Sequence, residues 1–219
     1  MPSSADAPSW SDPSPAAPDS ALVVGPQGAE RRLVLLHGWG ADADDLLDLG
    51  AALLGEDATA VSVVALRAPL PHPGGLGRQW YDLGMPGWPQ LPGARADLRR
   101  RLQQLALDVP LERTALLGFS QGAAMAIDVA SGGGLPLAAL IGCSGYPHPD
   151  WEPRRPLVPI LLTHGREDPV VPYAASEDLQ QRLRDSGGEV ELLPFSGGHG
   201  IDPGLFPAMG KFLARAWRG

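Results

Sequence analysis

Short apolar runs rich in Val, Leu and Ile alternate along this chain with longer stretches of helical period, and no other feature limits its fold as tightly. "RRLVLLHGWG", "VSVVALRAP", "ERTALLGF", "LPLAALIGCSG", "PILLTHG" and "EVELLPFSG" read as buried strands. "ADADDLLDLGAALL", "ARADLRRRLQQLAL", "SQGAAMAIDVA", "PYAASEDLQQRLRDSG" and "PGLFPAMGKFLARAW" read as the helices between and after them. Strands that are apolar along their whole length are buried on both faces, so the pattern predicts an α/β fold: a mostly parallel central sheet with helices on both faces.

The chain has 219 residues, 44% of them hydrophobic, enough for one large α/β core. Residues 21–219 are expected to form that domain. Residues 1–20, rich in Pro, Ser, Ala and Asp, carry neither the basic nor the apolar segment of a secretory signal and are expected to be a disordered tail. A net charge of −8 argues against nucleic acid and anionic membrane as partners. The short basic run Arg99-Arg100-Arg101 is interleaved with Leu98, Leu102 and Leu105 and is expected to be the solvated face of an amphipathic helix. Cys143 is the only cysteine, so no intrachain disulfide can form, and its apolar surroundings predict a buried structural thiol. No apolar run approaches the roughly 20 residues of a membrane span. A cytoplasmic monomer or homodimer without stable membrane insertion is the expectation.

Parallel strands deliver their carboxyl ends to one edge of a sheet, where open α/β folds bind ligands. Four predicted strands end there in residues suited to chemistry: His37-Gly38-Trp39-Gly40, Gly118-Phe119-Ser120-Gln121-Gly122, "HGREDPVVP" and "SGGHG". A serine on a sharp strand-to-helix turn needs very small residues two positions before and after it, and Gly118 and Gly122 supply them. Ser120 would project at a helix N-terminus, where the dipole favours developing negative charge. A hydroxyl is a weak nucleophile until a base removes its proton. His199 is the candidate base and Asp168 the candidate acid that orients it, with Glu167 as its rival. An oxyanion hole would draw one N–H from Gln121, the residue after the nucleophile, and the other from Trp39.

The other histidines are expected in supporting places: His37 shaping the oxyanion turn, His164 holding the loop that carries Asp168, and His72 and His148, each in a "PHP", exposed to solvent. Their spacing matches no metal-ligand pattern, so no metal is expected. The segment from Arg67 to Gly93 breaks the strand–helix alternation with many Pro and Gly. Loops of this length tend to be functional. Trp80, Tyr81 and Met85 are expected in it as an acyl-pocket wall, with apolar surface around Trp88 and Leu91 available for a dimer contact or substrate entry.

The segments "LLHGWGAD", "RAP", "RQWYDL", "LLGFSQGAAMA", "HGREDPVVP" and "GGHG" span Leu33 to Gly200, and together they make the chain similar to the phospholipase/carboxylesterase group of α/β-hydrolases. That group includes the acyl-protein thioesterases and small bacterial carboxylesterases. The resemblance implies the α/β-hydrolase fold and a cofactor-free serine esterase acting on a small-molecule acyl ester or thioester. It also implies a triad of Ser120, Asp168 and His199, with Asp168 favoured over Glu167 by the family's spacing, and oxyanion donors at Trp39 and Gln121. This sequence departs from the family's usual pattern at Ala123, where glycine is more common, at Tyr81, where phenylalanine is, and in the short Pro-rich loop that follows. Acyl chains of short to medium length are expected. A peptidase or lactonase on the same fold, and a non-catalytic sensing protein, are the alternatives.

Overall fold

The computed structural model describes residues 21–218. The expected tail, residues 1–20, lies outside the described residues. Nine strands are formed within that span: β1 (Ala21–Val24), β2 (Arg31–Leu36), β3 (Val61–Leu66), β4 (Leu70–Pro71), β5 (Arg78–Gln79), β6 (Thr114–Phe119), β7 (Ala139–Cys143), β8 (Ile160–Gly165) and β9 (Val190–Phe195). Five α-helices accompany them: α1 (Leu47–Leu54), α2 (Leu91–Leu105), α3 (Gln121–Ser131), α4 (Ala174–Asp185) and α5 (Phe206–Ala216). Seven of the strands make one sheet in the order β1-β3-β2-β6-β7-β8-β9. All pairings in it are parallel except β1 with β3.

The period-two alternation within each strand divides the core into two layers. Val34, Leu36, Leu116 and Leu140 point to one face and pack with Leu98 and Leu102 of α2, Met125 and Val129 of α3, and Leu179 and Leu183 of α4. Leu33, Leu35, Leu117 and Ile141 point to the other and meet Leu49 and Leu53 of α1 and Met209, Phe212 and Leu213 of α5. Each fully buried Leu or Val contributes about 1.5–3 kcal/mol relative to exposure. Helices therefore cover both faces, as the sequence pattern predicts. No helix among the described residues is long and apolar enough to cross a membrane.

Several expectations need correction. The run 41–54 is not one helix: Asp42 caps a short 3-10 turn, Ala43–Leu46, before α1 begins. Arg101 belongs to no solvated face; it is 5% exposed, pairs with Asp97 one turn earlier and donates from Nη1 to Arg67 O. His148 is likewise not solvent-exposed, at 2%. Its Nδ1 lies 2.7 Å from Asp128 Oδ2 and its Nε2 3.0 Å from the Tyr81 hydroxyl, so carboxylate and phenol replace the water lost on burial. Leu91 is buried and so contributes no free surface, and Trp88 packs at 5.2 Å against the Tyr81 ring and is partly buried; the exposed apolar side chains beside them are Leu83 and Met85. Cys143 is fully buried as expected, and burial pushes its thiol up to about 12.

Candidate active site

At the carboxyl end of β6 the chain turns through Ser120 into α3, with Ser120 at φ 53° and ψ −118°. A non-glycine residue in such a conformation stores about 1–3 kcal/mol of strain and persists only where its surroundings hold it. Ser120 N donates to Cys143 O on the neighbouring strand, and Ser120 O accepts from Ala124 N. The flanking glycines are dictated by space. A Cβ on Gly118 would sit 2.4 Å from Gly122 O, and a Cβ on Gly122 would sit 2.1 Å from Leu36 O and 2.5 Å from His37 O.

His199 reaches Ser120 from the turn after β9. Its Nε2 is 2.9 Å from Ser120 Oγ, and its Nδ1 is 2.7 Å from Asp168 Oδ2. An ionised carboxylate can only accept, so Nδ1 carries the proton and Nε2 turns its lone pair to the serine hydroxyl. The Asp168 side chain, inaccessible to solvent, follows β8. Its Oδ1 accepts from Val170 N at 2.8 Å and Val171 N at 2.9 Å. Burial pushes this carboxyl up, but the His199 hydrogen bond and the two amides outweigh it and hold the carboxyl below its ordinary value. Glu167 has another task, accepting from Gly197 N in the turn that leads to His199.

The remaining histidines act as braces. His164 is fully buried, with Nε2 2.9 Å from Val171 O and 3.2 Å from Asp168 Oδ2, and Nδ1 2.7 Å from Ser176 Oγ. A carbonyl partner fixes the proton on Nε2 and leaves Nδ1 to accept from the serine. His37 Nδ1 donates to Gly38 O, and its Nε2 accepts from Ala68 N. Burial drives its pKa down against the smaller opposing pull of Gly38 O, Asp42 and Asp45, and an Nε2 that accepts from an amide carries no proton. His72 lies half-buried with its ring 4.1 Å from that of Trp39.

The turn that carries Trp39 lies against the elbow: a Cβ on Gly38 would stand 3.5 Å from Ser120 Cβ. Among the described residues, neither Trp39 N nor Gln121 N donates to a protein backbone acceptor. An oxyanion site requires N–H donors that no protein acceptor already occupies. Trp39 as a residue is 44% exposed.

The residues expected in the acyl wall separate. Met85 is 40% exposed, whereas Trp80 and Tyr81 are sealed in the core. Trp80 Nε1 donates to His37 O, and the Tyr81 hydroxyl lies 2.7 Å from that of Tyr146. Sequence reasoning missed the Gln121 side chain, whose Oε1 accepts from Trp80 N and whose Nε2 donates to Tyr81 O. A depression of about 320 Å³ adjoins His199 between Phe195 and Asp202. A larger groove of about 740 Å³ lies at the opposite, amino ends of β7 and β8, lined by Leu135 to Ala138 and Pro156 to Pro159, away from this chemistry.

A family model described as Phospholipase/Carboxylesterase matches residues 95–217, a stretch that includes Ser120, Asp168 and His199. Esterase YpfH of Escherichia coli is 31% identical over 192 residues, covering 80% of this chain and 78% of that protein. Acyl-protein thioesterase 1 of Neurospora crassa is 28% identical over 151 residues, covering 54% of this chain and 60% of that one. Among solved structures, that of esterase PE8 superposes with a TM-score of 0.80 at 30% identity, covering 90% of this chain and 99% of the other.

Proposed function

Because the chain belongs to the phospholipase/carboxylesterase family of α/β-hydrolases, we propose that it hydrolyses carboxylic esters or thioesters of short to medium acyl chains, with Ser120, His199 and Asp168 as its catalytic triad. The observation that carries this reading is the unbroken path from Ser120 Oγ through both ring nitrogens of His199 to the buried Asp168 carboxylate.

In the acylation step His199 Nε2 takes the hydroxyl proton as Ser120 Oγ bonds to the substrate's carbonyl carbon. The carbonyl oxygen becomes an oxyanion, held by Trp39 N–H and Gln121 N–H; one such donor is typically worth about 3–4 kcal/mol at the transition state. Asp168 stabilises the imidazolium. The carbon–oxygen or carbon–sulfur bond then breaks, and the alcohol or thiol leaves with the proton from His199. Water repeats the sequence: it gives a proton to His199, attacks the acyl-enzyme and releases the acid, and Ser120 Oγ recovers its proton. Met85 and the exposed Trp39 are the surfaces assigned to the acyl chain. The lone buried cysteine suits a reducing compartment, and a cytoplasmic location is part of this reading.

The test is hydrolysis of p-nitrophenyl esters from acetate to decanoate by the wild type and Ser120→Ala. Activity that disappears in the variant supports the proposal, and the chain-length optimum sizes the acyl site. A wild type inactive on every ester, or an equally active variant, overturns it.

A further inference from the structure

Four consecutive residues, Arg78 to Tyr81, touch both segments that carry the proposed oxyanion donors. On one side Arg78 O accepts from Gly40 N at 2.9 Å, Arg78 N donates to Ala41 O at 2.8 Å, and Gln79 Oε1 accepts from the Trp39 indole at 2.9 Å. Trp80 Nε1 completes that side by donating to His37 O at 2.9 Å. On the other side the Gln121 carboxamide spans the same backbone, 2.9 Å from Trp80 N and 2.8 Å from Tyr81 O. The approach is so close that a Cβ on Gly77 would lie 1.9 Å from Gly40 O. Gln79, Trp80 and Gln121 are all buried, so these bonds face little competition from water.

We infer that Gln79 and Trp80 are positioning residues that set the distance between the two oxyanion N–H groups, an inference that rests on the assignment of Trp39 and Gln121 as those donors. The physical need is plain. An oxyanion hole assembled from two separate loops stabilises charge only if both donors are fixed before the charge develops. The Trp39 turn, flanked by Gly38 and Gly40, exposes Trp39 to solvent and has one long internal backbone bond, Ala41 N to Gly38 O at 3.4 Å. Segment 78–81 supplies rigidity by tying His37, Trp39, Gly40 and Ala41 to the side chain of Gln121. Trp80 therefore acts through the geometry of the hole and not by lining an acyl wall.

Trp80→Phe keeps an aromatic ring while removing the donor to His37 O and part of the indole's volume; Gln79→Met keeps the length of the side chain while removing the acceptor for the Trp39 indole and the donor to Pro71 O. Each is expected to lower kcat about 10- to 100-fold through misplacement of a donor, with KM within about threefold of the wild type. Affinity for an acyl trifluoromethyl ketone, whose serine adduct carries the oxyanion, should fall in parallel with kcat/KM. Affinity for the alcohol of matching alkyl chain should hold. Trp151→Phe is the control: Trp151 is a buried tryptophan whose indole donates at 2.9 Å to Ser131 Oγ. It should lose stability and keep its kcat.

Should Trp80→Phe fail to fold, Gln79→Met decides alone. Folded variants with wild-type kcat and trifluoromethyl ketone affinity overturn the inference, and so does a rise in KM and weaker alcohol binding at constant kcat, the mark of a pocket wall. The underlying reading fails separately, if Ser120→Ala retains turnover or if the wild type binds the trifluoromethyl ketone no better than the methyl ketone.

Discussion

Gly122 in α3 and Leu36 at the end of β2 approach so closely that one added carbon would bring a Cβ within 2.1 Å of the Leu36 carbonyl oxygen. The obstacle is backbone, so no rotamer change can relieve it. Gly122→Ala must push α3 away from the sheet, carrying Ser120 and the Gln121 amide with it. We expect a loss of about 1–3 kcal/mol in stability from overpacking, which in a chain of this size lowers Tm by roughly 2–4 °C per kcal/mol. Activity should fall at least about 100-fold. Thermal denaturation and ester turnover on the same preparation check both.

Asp168 and Glu167 are adjacent in sequence and differ in partner. Asp168→Asn leaves no carboxylate to hold the Nδ1–H tautomer of His199, and kcat should drop by about 10³- to 10⁴-fold. Glu167→Gln keeps an oxygen able to accept from Gly197 N, and surface changes of this kind cost within about 0.5 kcal/mol. Its activity should stay near that of the wild type. Equal losses in the two variants would contradict the assignment.

Because the folded Asp168 carboxyl titrates below its ordinary value, it is a source of acid lability. The unfolded chain, with its carboxyl near the usual ~3.9, binds the proton first. Asp168 therefore adds stability above that pH, and the contribution is lost as the pH falls through the lower folded value. Between about pH 5 and pH 3 the wild type should lose stability more steeply than Asp168→Asn. Urea midpoints measured across that range read the difference in slope; parallel curves would contradict it.

His148 joins Asp128 of α3 to the Tyr81 hydroxyl inside the aromatic cluster of Trp88, Tyr81 and Tyr146. His148→Phe fills the space and removes both bonds. Leaving buried polar groups short of a partner should cost about 1–3 kcal/mol. Arg95, 2.6 Å from Asp128 Oδ2, limits the damage by keeping that carboxylate paired. Chemical denaturation gives the value, and a variant as stable as the wild type would show that the chain of bonds adds nothing.

What the sequence displays well is what repeats or what sterics forbid. The apolar runs mark β2, β3 and β6 to β8 because burial on both faces leaves few polar positions in them, and β9, partly buried at the sheet edge, is still marked by its Val, Leu and Phe. Gly118 and Gly122 mark the elbow because nothing larger fits. β1 was hidden: "ALVV" is four residues long and pairs at the sheet edge, with Val23 exposed. Helix α2 shows its leucine stripe plainly, yet the pattern treats Arg101 as solvated because periodicity does not reveal Arg67 O, the distant carbonyl that satisfies its guanidinium. His148 in its "PHP" reads as exposed for the same reason, since its partners Tyr81 and Asp128 come from other elements. Trp80 reads as a pocket wall from its place in the long loop, while its indole N–H, a single donor needing a buried acceptor, finds one in His37 O. For Gln121 the proposed backbone role is read from the motif, while the bonds of its carboxamide depend on a loop 40 residues away.

The central claim is that His199 makes Ser120 the nucleophile. Labelling the wild type with a fluorophosphonate and mapping the adduct by peptide mass spectrometry tests it most directly. The account predicts a single phosphonyl group on Ser120, and its loss in His199→Ala under the same conditions. An adduct on any other residue, or undiminished labelling of Ser120 without His199, would contradict it.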